Sequence, residues 1–289
     1  MSLTHTSPVR KAKNSVAWVL VAIAFVVAII PLVSILWTVI SRGAAAFNAN
    51  FLTHSMRNVS EQDANGGAYH AILGTLEQVG IAAVITIPLA LMVAIYLVEY
   101  GRGRLAQAVT FFVDVMMGLP SIVAGLFVLS FWILGLGFHA SGFAASIALT
   151  ILMLPIAVRS SEEMLKLVSP ALREASYALG VSKWRTITKV VLPTALPGIV
   201  TGMMLGIARI VGETAPVLLL VGVTDSINAN PFSNAQGSLP LFIFSESQNS
   251  VQTAINRGWA AALTLIILVM LLNLIARLIA WWKAPAAAR

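Results

Sequence analysis

The sequence predicts an all-α membrane protein with six transmembrane helices. Two observations lead to this fold class. Of the 289 residues, 58% are hydrophobic and only 10% are charged, whereas soluble domains carry about 25% charged residues. The apolar residues also collect in six segments, each near the roughly 20 residues that a helix needs to cross a bilayer. The predicted spans are residues 16–40, 76–98, 109–135, 142–158, 197–222 and 259–282.

The first apolar segment is interpreted as an uncleaved transmembrane helix. It follows three basic residues, Arg10, Lys11 and Lys13, which is an arrangement that signal peptides share. The apolar core of a signal peptide has about 7–15 residues, however, and the segment 16–40 is long enough to span the bilayer.

The positions of Lys and Arg predict that both termini are cytoplasmic. Basic residues of membrane proteins collect on the cytoplasmic side. With the N-terminus inside, fourteen of the 18 basic residues lie on that side, which accounts for the net charge of +7 without a nucleic-acid partner. The resulting division is a cytoplasmic tail (1–15), the first transmembrane helix (16–40), an extracytoplasmic loop (41–75), a transmembrane core (76–282) with a cytoplasmic loop (159–196) and an extracytoplasmic loop (223–258), and a cytoplasmic tail (283–289).

Residue types needed for metal binding or covalent catalysis are missing from the sequence or scattered along it. There is no cysteine, so disulfides, thiolate metal sites and thiol nucleophiles are excluded. His54, His70 and His139 lack the spacing of metal ligands. We therefore expect no catalytic residues, no metal and no cofactor in this chain.

The cytoplasmic loop contains a helix-prone polar stretch, REASYALGVSKWR, at residues 173–185. Ser169 and Pro170 have the residue types of a helix start, and Gly180 suits a helix end. Ser182 is placed to cap a second short helix that ends before Pro193. These features predict two short helices joined by a glycine turn.

One face of these two helices is expected to lie on the membrane domain, through Trp184, Ile187, Val190 and Val191. The other presents Arg173, Glu174 and Tyr177 to the cytoplasm, where a soluble partner has access to them. Alternatives are an interfacial amphipathic segment without a partner and, less favoured because the bilayer holds it, a DNA-binding helix-turn-helix.

This loop resembles the EAA loop of ABC importer permeases. Glu174-Ala175, then Gly180, then Leu192-Pro193 follow the pattern of that loop, with Ser176 in place of the second alanine. The resemblance implies a coupling helix that docks on a separate ATPase. The implied coupling residues are Arg173, Glu174, Ala175, Tyr177 and Gly180. The chain has no P-loop of its own.

The fifth predicted span carries charged residues in the middle of apolar sequence. Arg209 and Glu213 are four residues apart, and ionisable groups in a membrane span usually mark a pathway or a partner. Five residues fall within a sector of roughly 80° on one helix face: Gly198, Gly202, Gly206, Arg209 and Glu213. The glycines permit close helix packing. The charged pair is expected either to line a translocation path or to form a buried structural ion pair.

Two further sets of residues are candidates. Ser121 follows Pro120 inside the third predicted span, where the break either lines a cavity or only shapes the bundle. Arg159 and Glu162 form a possible second charged pair at the inner end of the fourth span, with a structural or coupling role. Asp114 is expected to be a solvated carboxylate at the membrane interface.

Several motifs in order resemble the PstA-type permease subunits of phosphate ABC importers. They are AIYLVEY at 94–100, PSIVAGLF at 120–127, LPIAVRSSEEM at 154–164 and GETAP at 212–216. The resemblance covers roughly residues 74–222. Within it, Arg209 and Glu213 match charged positions of the family's fifth core region, and Arg159 and Glu162 match another charged pair.

The resemblance implies a type I ABC importer permease architecture in the plasma membrane of a prokaryote. It also implies import of inorganic phosphate with three partners: a PstC-like second permease, a PstB-like ATPase dimer that binds ATP and Mg, and an extracytoplasmic phosphate-binding protein. This chain would then be a transport subunit and not an enzyme. Alternatives are the same role for sulfate or molybdate, a stand-alone secondary transporter, or a membrane enzyme with Glu213 or Asp114 as an acid or base.

Overall fold

The computed structural model describes residues 7–283, and it is helical and free of β-strands across that range. The helices are α1 (Pro8–Gly43), α2 (Ala49–Thr53), α3 (Tyr69–Ile95), α4 (Gly103–Met117), α5 (Ser121–Val128), α6 (Gly142–Leu167), α7 (Pro170–Ala178), α8 (Lys183–Thr186), α9 (Leu192–Val211), α10 (Ala215–Val221), α11 (Leu239–Ser247) and α12 (Gln252–Lys283). Three π-helical turns extend α3, α5 and α8: Tyr96–Tyr100, Leu129–Gly135 and Ile187–Val191. Residues 1–6 and 284–289 of the two predicted tails lie outside the described residues.

Within residues 7–283, five helical segments are long and apolar enough to cross a membrane, and a bent pair forms a sixth candidate. The bent pair is α4 with α5, whose axes differ by 107°. A single helix over 109–135 is therefore wrong. The break falls at Gly118–Pro120, because proline has no backbone N–H and disfavours a helical conformation in the residue before it.

The bent pair passes from one end of the bundle to the other. Asp114 of α4 is bonded to Arg159 of α6, whereas Trp132, beyond α5, packs 5.8 Å from the ring of Phe143 near the start of α6. Arg159 and Phe143 are about 24 Å apart along α6 at 1.5 Å per residue. These contacts support counting the bent pair as one crossing, the sixth candidate within residues 7–283.

Several observed bounds differ from the predicted ones. Helix α3 begins at Tyr69, within the predicted loop 41–75, and α6 continues to Leu167, nine residues beyond residue 158. The chain after α8 does not end its helix before Pro193 but continues into α9 through a π turn. Pro193 is tolerated there because it lies in the first turn of α9.

Helix α6 lies at the centre of the bundle and packs against α3, α4, α5, α9 and α10. It packs tightly on α9, along the three glycines of that helix. A Cβ atom added at Gly198 would lie 2.2 Å from Met164 Sδ, and one at Gly202 would lie 1.4 Å from Ser160 Oγ. One at Gly206 would lie 3.2 Å from Met153 Cγ. The backbones of α6 and α9 therefore approach closely over about two turns.

The two loops predicted to be extracytoplasmic are folded onto each other. Arg257 is buried and donates to Glu246 Oε2 at 2.8 Å. It also donates to the carbonyl oxygens of Asp63 at 2.6 Å and Glu61 at 3.2 Å. Burial raises the pKa of the Glu246 carboxyl, and the guanidinium of Arg257 offsets only part of this effect. One arginine thus joins the loop before α3 to α11 and α12.

A buried glutamine holds the loop before α11 against the bundle. Gln236 is fully buried, and its Oε1 accepts a hydrogen bond of 3.1 Å from Gln78 of α3. Its amide nitrogen is bonded to Glu77. A Cβ atom at Gly142 would lie 1.9 Å from Gln236 Oε1, so the start of α6 needs a glycine here.

The close approach of α6 and α9 predicts that Gly202→Ala destabilises the protein by about 1–3 kcal/mol, as overpacking of a tight core does. Gly80→Ala is the matched control, because a Cβ atom at Gly80 meets nothing within 4 Å. The melting temperature of the purified membrane protein measures the difference. Ser160→Gly in the Gly202→Ala background removes a carbon 2.5 Å from the new methyl group and should restore part of the stability. Equal melting temperatures for the Gly202 and Gly80 variants would contradict the packing argument.

Candidate functional site

Arg209 and Glu213 lie at the break between α9 and α10. Arg209 is in the last turn of α9, and Glu213 comes two residues after its end at Val211. The predicted single helix over 197–222, with both residues on one face, is therefore interrupted. The pair still forms across the helix end, with 3.7 Å between Arg209 Nε and Glu213 Oε1.

The guanidinium of Arg209 retains free hydrogen-bonding capacity. A separation of 3.7 Å is an ion-pair contact but too long for a hydrogen bond. Its side chain is 50% exposed, that of Glu213 16%. Among residues 7–283, no hydrogen bond is formed by the Arg209 guanidinium. An exposed cation with unused donors is suited to an anion that arrives from outside the chain.

Two helix breaks meet beside Arg209. A cavity of about 90 Å³ separates its side chain from the end of α4 and the middle of α6. The other residues of its lining are Met116, Met117, Leu119, Leu152, Pro155 and Ile156. The break in the bent pair therefore opens towards the same space as the charged side chain.

Ser121 begins α5, two residues after the cavity-lining Leu119. Helix α5 packs tightly on α10, because a Cβ atom at Gly125 would lie 2.8 Å from Pro216 Cα. The first N–H groups of a helix lack internal partners and carry partial positive charge. Ser121 thus adds a hydroxyl at a helix end close in sequence to the Arg209 cavity, although Ser121 is not among the residues that line that cavity.

Glu213 faces the interior on its other side. A cavity of about 10 Å³ is shared by Glu213, Thr75 and Gln78 of α3, and Ser238 of the outer loop. Gln78 is also bonded to Gln236. The carboxylate of Glu213 is therefore set between Arg209 and the buried polar side chains that hold the outer loop.

Arg159 and Glu162 belong to a separate charged network. Arg159 donates to Glu162 Oε2 at 2.7 Å and to Asp114 Oδ1 at 3.1 Å, and Lys166 donates to Glu162 Oε1 at 2.6 Å. Asp114 is exposed, as the sequence suggests, but it is not a lone carboxylate, since it pairs with Arg159. The network joins α4 to α6, which supports the structural interpretation.

The cytoplasmic loop forms two short helices at the predicted positions, although the side chain of Ser182 makes no capping hydrogen bond. Ser169 Oγ accepts from the backbone N–H of Ala171 at 3.3 Å. Gly180 has φ +75°, a left-handed conformation that glycine adopts without strain. Ser176, which departs from the family pattern, is bonded to Thr186 Oγ1 at 2.9 Å in a buried position. This bond holds α7 and α8 together.

The exposed face of the loop combines predicted and unpredicted residues. Glu174, Ala175 and Tyr177 are exposed on α7. Trp184 is 62% exposed, so its expected place on the side facing the membrane domain is wrong; Ile187 and Val191 are buried there. Leu179 is also exposed. The surface around the glycine turn therefore contains both apolar and polar side chains.

Arg173 does not face the cytoplasm, contrary to the sequence prediction. Its side chain is 16% exposed and donates to Glu99 Oε1 at 2.9 and 3.0 Å. It also donates to the carbonyl oxygens of Leu165 and Val168 at 2.9 and 2.6 Å. Sequence reasoning missed Glu99, although an acidic residue within the apolar motif AIYLVEY is a signal that a basic partner is nearby.

No group of three or more His, Cys, Asp or Glu side chains that could hold a metal ion occurs in residues 7–283. The charged side chains in the bundle form pairs and chains with Arg or Lys. The arrangement can bind an anion at Arg209 and a protein surface at the cytoplasmic loop.

Comparison with known proteins agrees with this architecture. Residues 86–287 match the family described as "Binding-protein-dependent transport system inner membrane component". The "Phosphate transport system permease protein PstA 1" of Mycobacterium tuberculosis (strain CDC 1551 / Oshkosh) is 56% identical over 271 residues, covering 93% of this chain and 89% of the relative. The "Phosphate transport system permease protein PstA" of Mycobacterium leprae (strain TN) is 50% identical over 266 residues, covering 92% and 88%.

A solved structure shares the fold. A chain from the crystal structure of a bacterial ABC transporter involved in the import of the acidic polysaccharide alginate superposes with a TM-score of 0.66 at 15% identity, covering 94% of this chain and 98% of that chain. The architecture is thus that of type I ABC importer permeases. By its match over most of the sequence and by its similarity to these relatives, the chain belongs to the family of binding-protein-dependent transport system inner membrane components.

Proposed function

We propose that this chain is a permease subunit of an ATP-driven importer that carries inorganic phosphate into the cytoplasm. The observation that carries the proposal is Arg209, a half-exposed guanidinium with unused donors at two helix breaks in the bundle. The substrate is supported by the similarity to phosphate transport permeases at 56% and 50% identity. The chain is a transport subunit and not an enzyme.

Arg209 and Glu213 act together on the passing ion. A guanidinium binds an oxyanion through two parallel hydrogen bonds. Phosphate would bind the donors of Arg209 that the long contact with Glu213 leaves unused. Near neutral pH phosphate retains a proton, which it can donate to the Glu213 carboxylate. Sulfate has no such proton, so the pair favours phosphate. Ser121 and the first N–H groups of α5 add donors at the edge of the same cavity.

The other half of the pathway comes from a second chain. An ionisable side chain left against lipid is costly, so the exposed side of Arg209 requires cover by protein or water. The bent pair also exposes apolar side chains, among them Phe111, Phe112 and Phe127. A PstC-like second permease would cover this side and complete the path.

The cytoplasmic loop transmits the work of ATP hydrolysis. Its exposed residues Glu174, Tyr177 and Trp184 dock on a PstB-like ATPase dimer, which binds ATP and Mg. Closure of the ATPase dimer moves the loop, and the bundle rocks between outward and inward access. An extracytoplasmic phosphate-binding protein delivers the ion. The excess of Lys and Arg places both termini and this loop on the cytoplasmic side of a prokaryotic plasma membrane.

The proposal is tested by uptake of labelled phosphate, sulfate and molybdate at micromolar supply. Cells with and without the chain are compared, with ATP present and depleted. We expect loss of ATP-dependent phosphate uptake alone when the chain is absent. Loss of sulfate or molybdate uptake instead would keep the importer but replace the substrate. Uptake that persists without ATP would indicate a stand-alone secondary transporter, and no change in uptake would contradict the proposed function.

Arg209→Gln is expected to reduce phosphate uptake by at least about tenfold, because a hydrogen bond to a charged group contributes about 1.5–3 kcal/mol. Assembly should be unaffected, since the Arg209 guanidinium makes no hydrogen bond within residues 7–283. Arg209→Lys keeps the charge without the planar fork and should be intermediate. Arg104→Gln, which removes an exposed cation of α4, is the control. Wild-type uptake by an assembled Arg209→Gln complex would refute the pathway role.

Gly180→Ala is expected to weaken coupling. The φ of +75° at Gly180 costs about 1–2 kcal/mol for a residue with a Cβ atom, so the turn relaxes and α8 shifts against α7. Gly137→Ala is the matched control, because Gly137 has the same φ and equally open space at the other end of the bundle. The readout is the amount of ATPase that co-purifies and its hydrolysis rate. Equal behaviour of the two variants would show that the turn geometry is irrelevant to docking.

A further inference from the structure

The guanidinium of Arg173 joins three segments of the chain. From α7 it reaches Glu99 at the end of α3, with 2.9 Å between Nη2 and Oε1. The same group donates to the carbonyl oxygens of Leu165 and Val168 at the end of α6. Leu165 lies in the last turn of α6 and Val168 is its C-cap residue, and the Leu165 carbonyl also accepts from the backbone N–H of Val168 at 3.4 Å. Movement of α7 therefore acts directly on the ends of both α3 and α6.

The ion pair is buried and is unsuited to a contact that opens in each transport cycle. The side chains of Glu99 and Arg173 are 6% and 16% exposed. Separating such a pair leaves an uncompensated charge inside the protein, which is strongly unfavourable. The pair thus behaves as a fixed joint, unlike the loose contact between Arg209 and Glu213 at 3.7 Å.

A second connection comes from α8. The ammonium group of Lys183 is bonded to the backbone oxygen of Glu99 and lies 4.3 Å from the ring centroid of Tyr100, a cation–π contact. Since Ser176 and Thr186 hold α7 and α8 together, the whole loop is attached to the last turn of α3 at two points.

The last turn of α3 is itself a π-helical turn, Tyr96–Tyr100. A π turn holds one more residue than an α turn, which redirects the side chains in it, and such turns are frequent at functional sites. A second π turn, Ile187–Val191, connects α8 to α9. Irregular turns therefore lie where the loop contacts α3 and where it continues into α9. The two helices of the loop, α7 and α8, are bonded to each other.

We propose that the Glu99–Arg173 pair is the joint that transmits movement of the cytoplasmic loop to α3 and α6. This inference rests on the proposed function and adds two positioning residues to it. Helix α3 packs along α6, and α6 packs on the glycines of α9 and lines the Arg209 cavity through Leu152, Pro155 and Ile156. A displacement at Glu99 and Leu165 thus reaches the anion site through packed helices. Arg173 acts inside the permease, whereas Glu174 and Tyr177 face the ATPase.

The test uses the complete complex in proteoliposomes with Glu99→Gln, Arg173→Gln and the double variant. Three quantities are measured: the ATPase that co-purifies, its hydrolysis rate, and the phosphate taken up per ATP hydrolysed. We expect the ATPase to remain bound and active while the uptake ratio falls about 2- to 30-fold, the range for mutations along a coupling network. The double variant should lose no more than the Arg173 variant, because both act through one contact.

Glu246→Gln is the matched control for loss of a buried Arg–Glu pair, since Glu246 and Arg257 are bonded at 2.8 Å at the opposite end of the bundle. It should lower the melting temperature without changing the uptake ratio. Arg173→Lys keeps the buried charge but reaches fewer of the three acceptors. If the Gln variants fail to assemble, the test uses the phosphate taken up per ATP hydrolysed by the Arg173→Lys complex. A reduced ratio supports the joint, and an unchanged ratio overturns it.

Two results would overturn the inference. One is an unchanged uptake ratio in the assembled Glu99→Gln complex. The other is loss of the ATPase with Arg173→Gln but not with Glu99→Gln, which would make Arg173 a docking contact. If the wild-type complex carries sulfate or molybdate in place of phosphate, the same ratio is measured with that ion. The inference and the proposed substrate can then fail independently.

Discussion

A guanidinium group enclosed by a membrane bundle needs anionic or carbonyl partners, because lipid and apolar side chains cannot replace the water that it loses. Three arginines meet this constraint at three levels of the fold. Arg257 joins the extracytoplasmic loops to α11, Arg159 joins α4 to α6, and Arg173 joins α7 to α3 and α6. Each of these arginines contacts a segment far from it in sequence, so each determines where two segments of the chain lie. Arg209 differs, since its one ionic contact is long and half of its side chain is exposed.

The helix breaks lie beside Arg209, the loosely paired arginine. The bent pair turns at Gly118–Pro120, and the fifth span stops at Val211 and resumes at Ala215. Breaks at membrane depth free backbone groups that need protein or water as partners. Both breaks adjoin Arg209 or Glu213, so irregular backbone, unused guanidinium donors and a cavity occur together. A site that must bind an ion and release it needs such incomplete pairing, whereas structural sites have saturated pairs.

Local signals in the sequence were sufficient for much of this fold. Apolar length located the spans, Ser169 and Gly180 marked α7, and the glycine spacing of α9 indicated a close helix contact. Contacts between distant residues were not predictable in this way. Glu99 and Arg173 are separated by 74 residues, and Gln78 and Gln236 by 158. Hydrophobic periodicity carries no information on which partner a charged residue meets, so Arg173 and Trp184 were each placed on the opposite face from the one observed.

The central position of α6 connects the loop at one end of the bundle with the Arg209 cavity, the proposed anion site. Ala144, Ala145 and Ala148 are fully buried, and Ser160 fits against Gly202 with no room for a methyl group. Interiors packed at this density are not continuously deformable, so a displacement at one end is passed on or resisted as a unit. Arg173 attaches the cytoplasmic end of α6 to the loop, and Leu152, Pro155 and Ile156 bring its middle to Arg209. In the proposed transport cycle, the Glu99–Arg173 pair must stay closed while Arg209 exchanges Glu213 for the ion. A close buried pair suits the first role, and a loose contact of 3.7 Å suits the second.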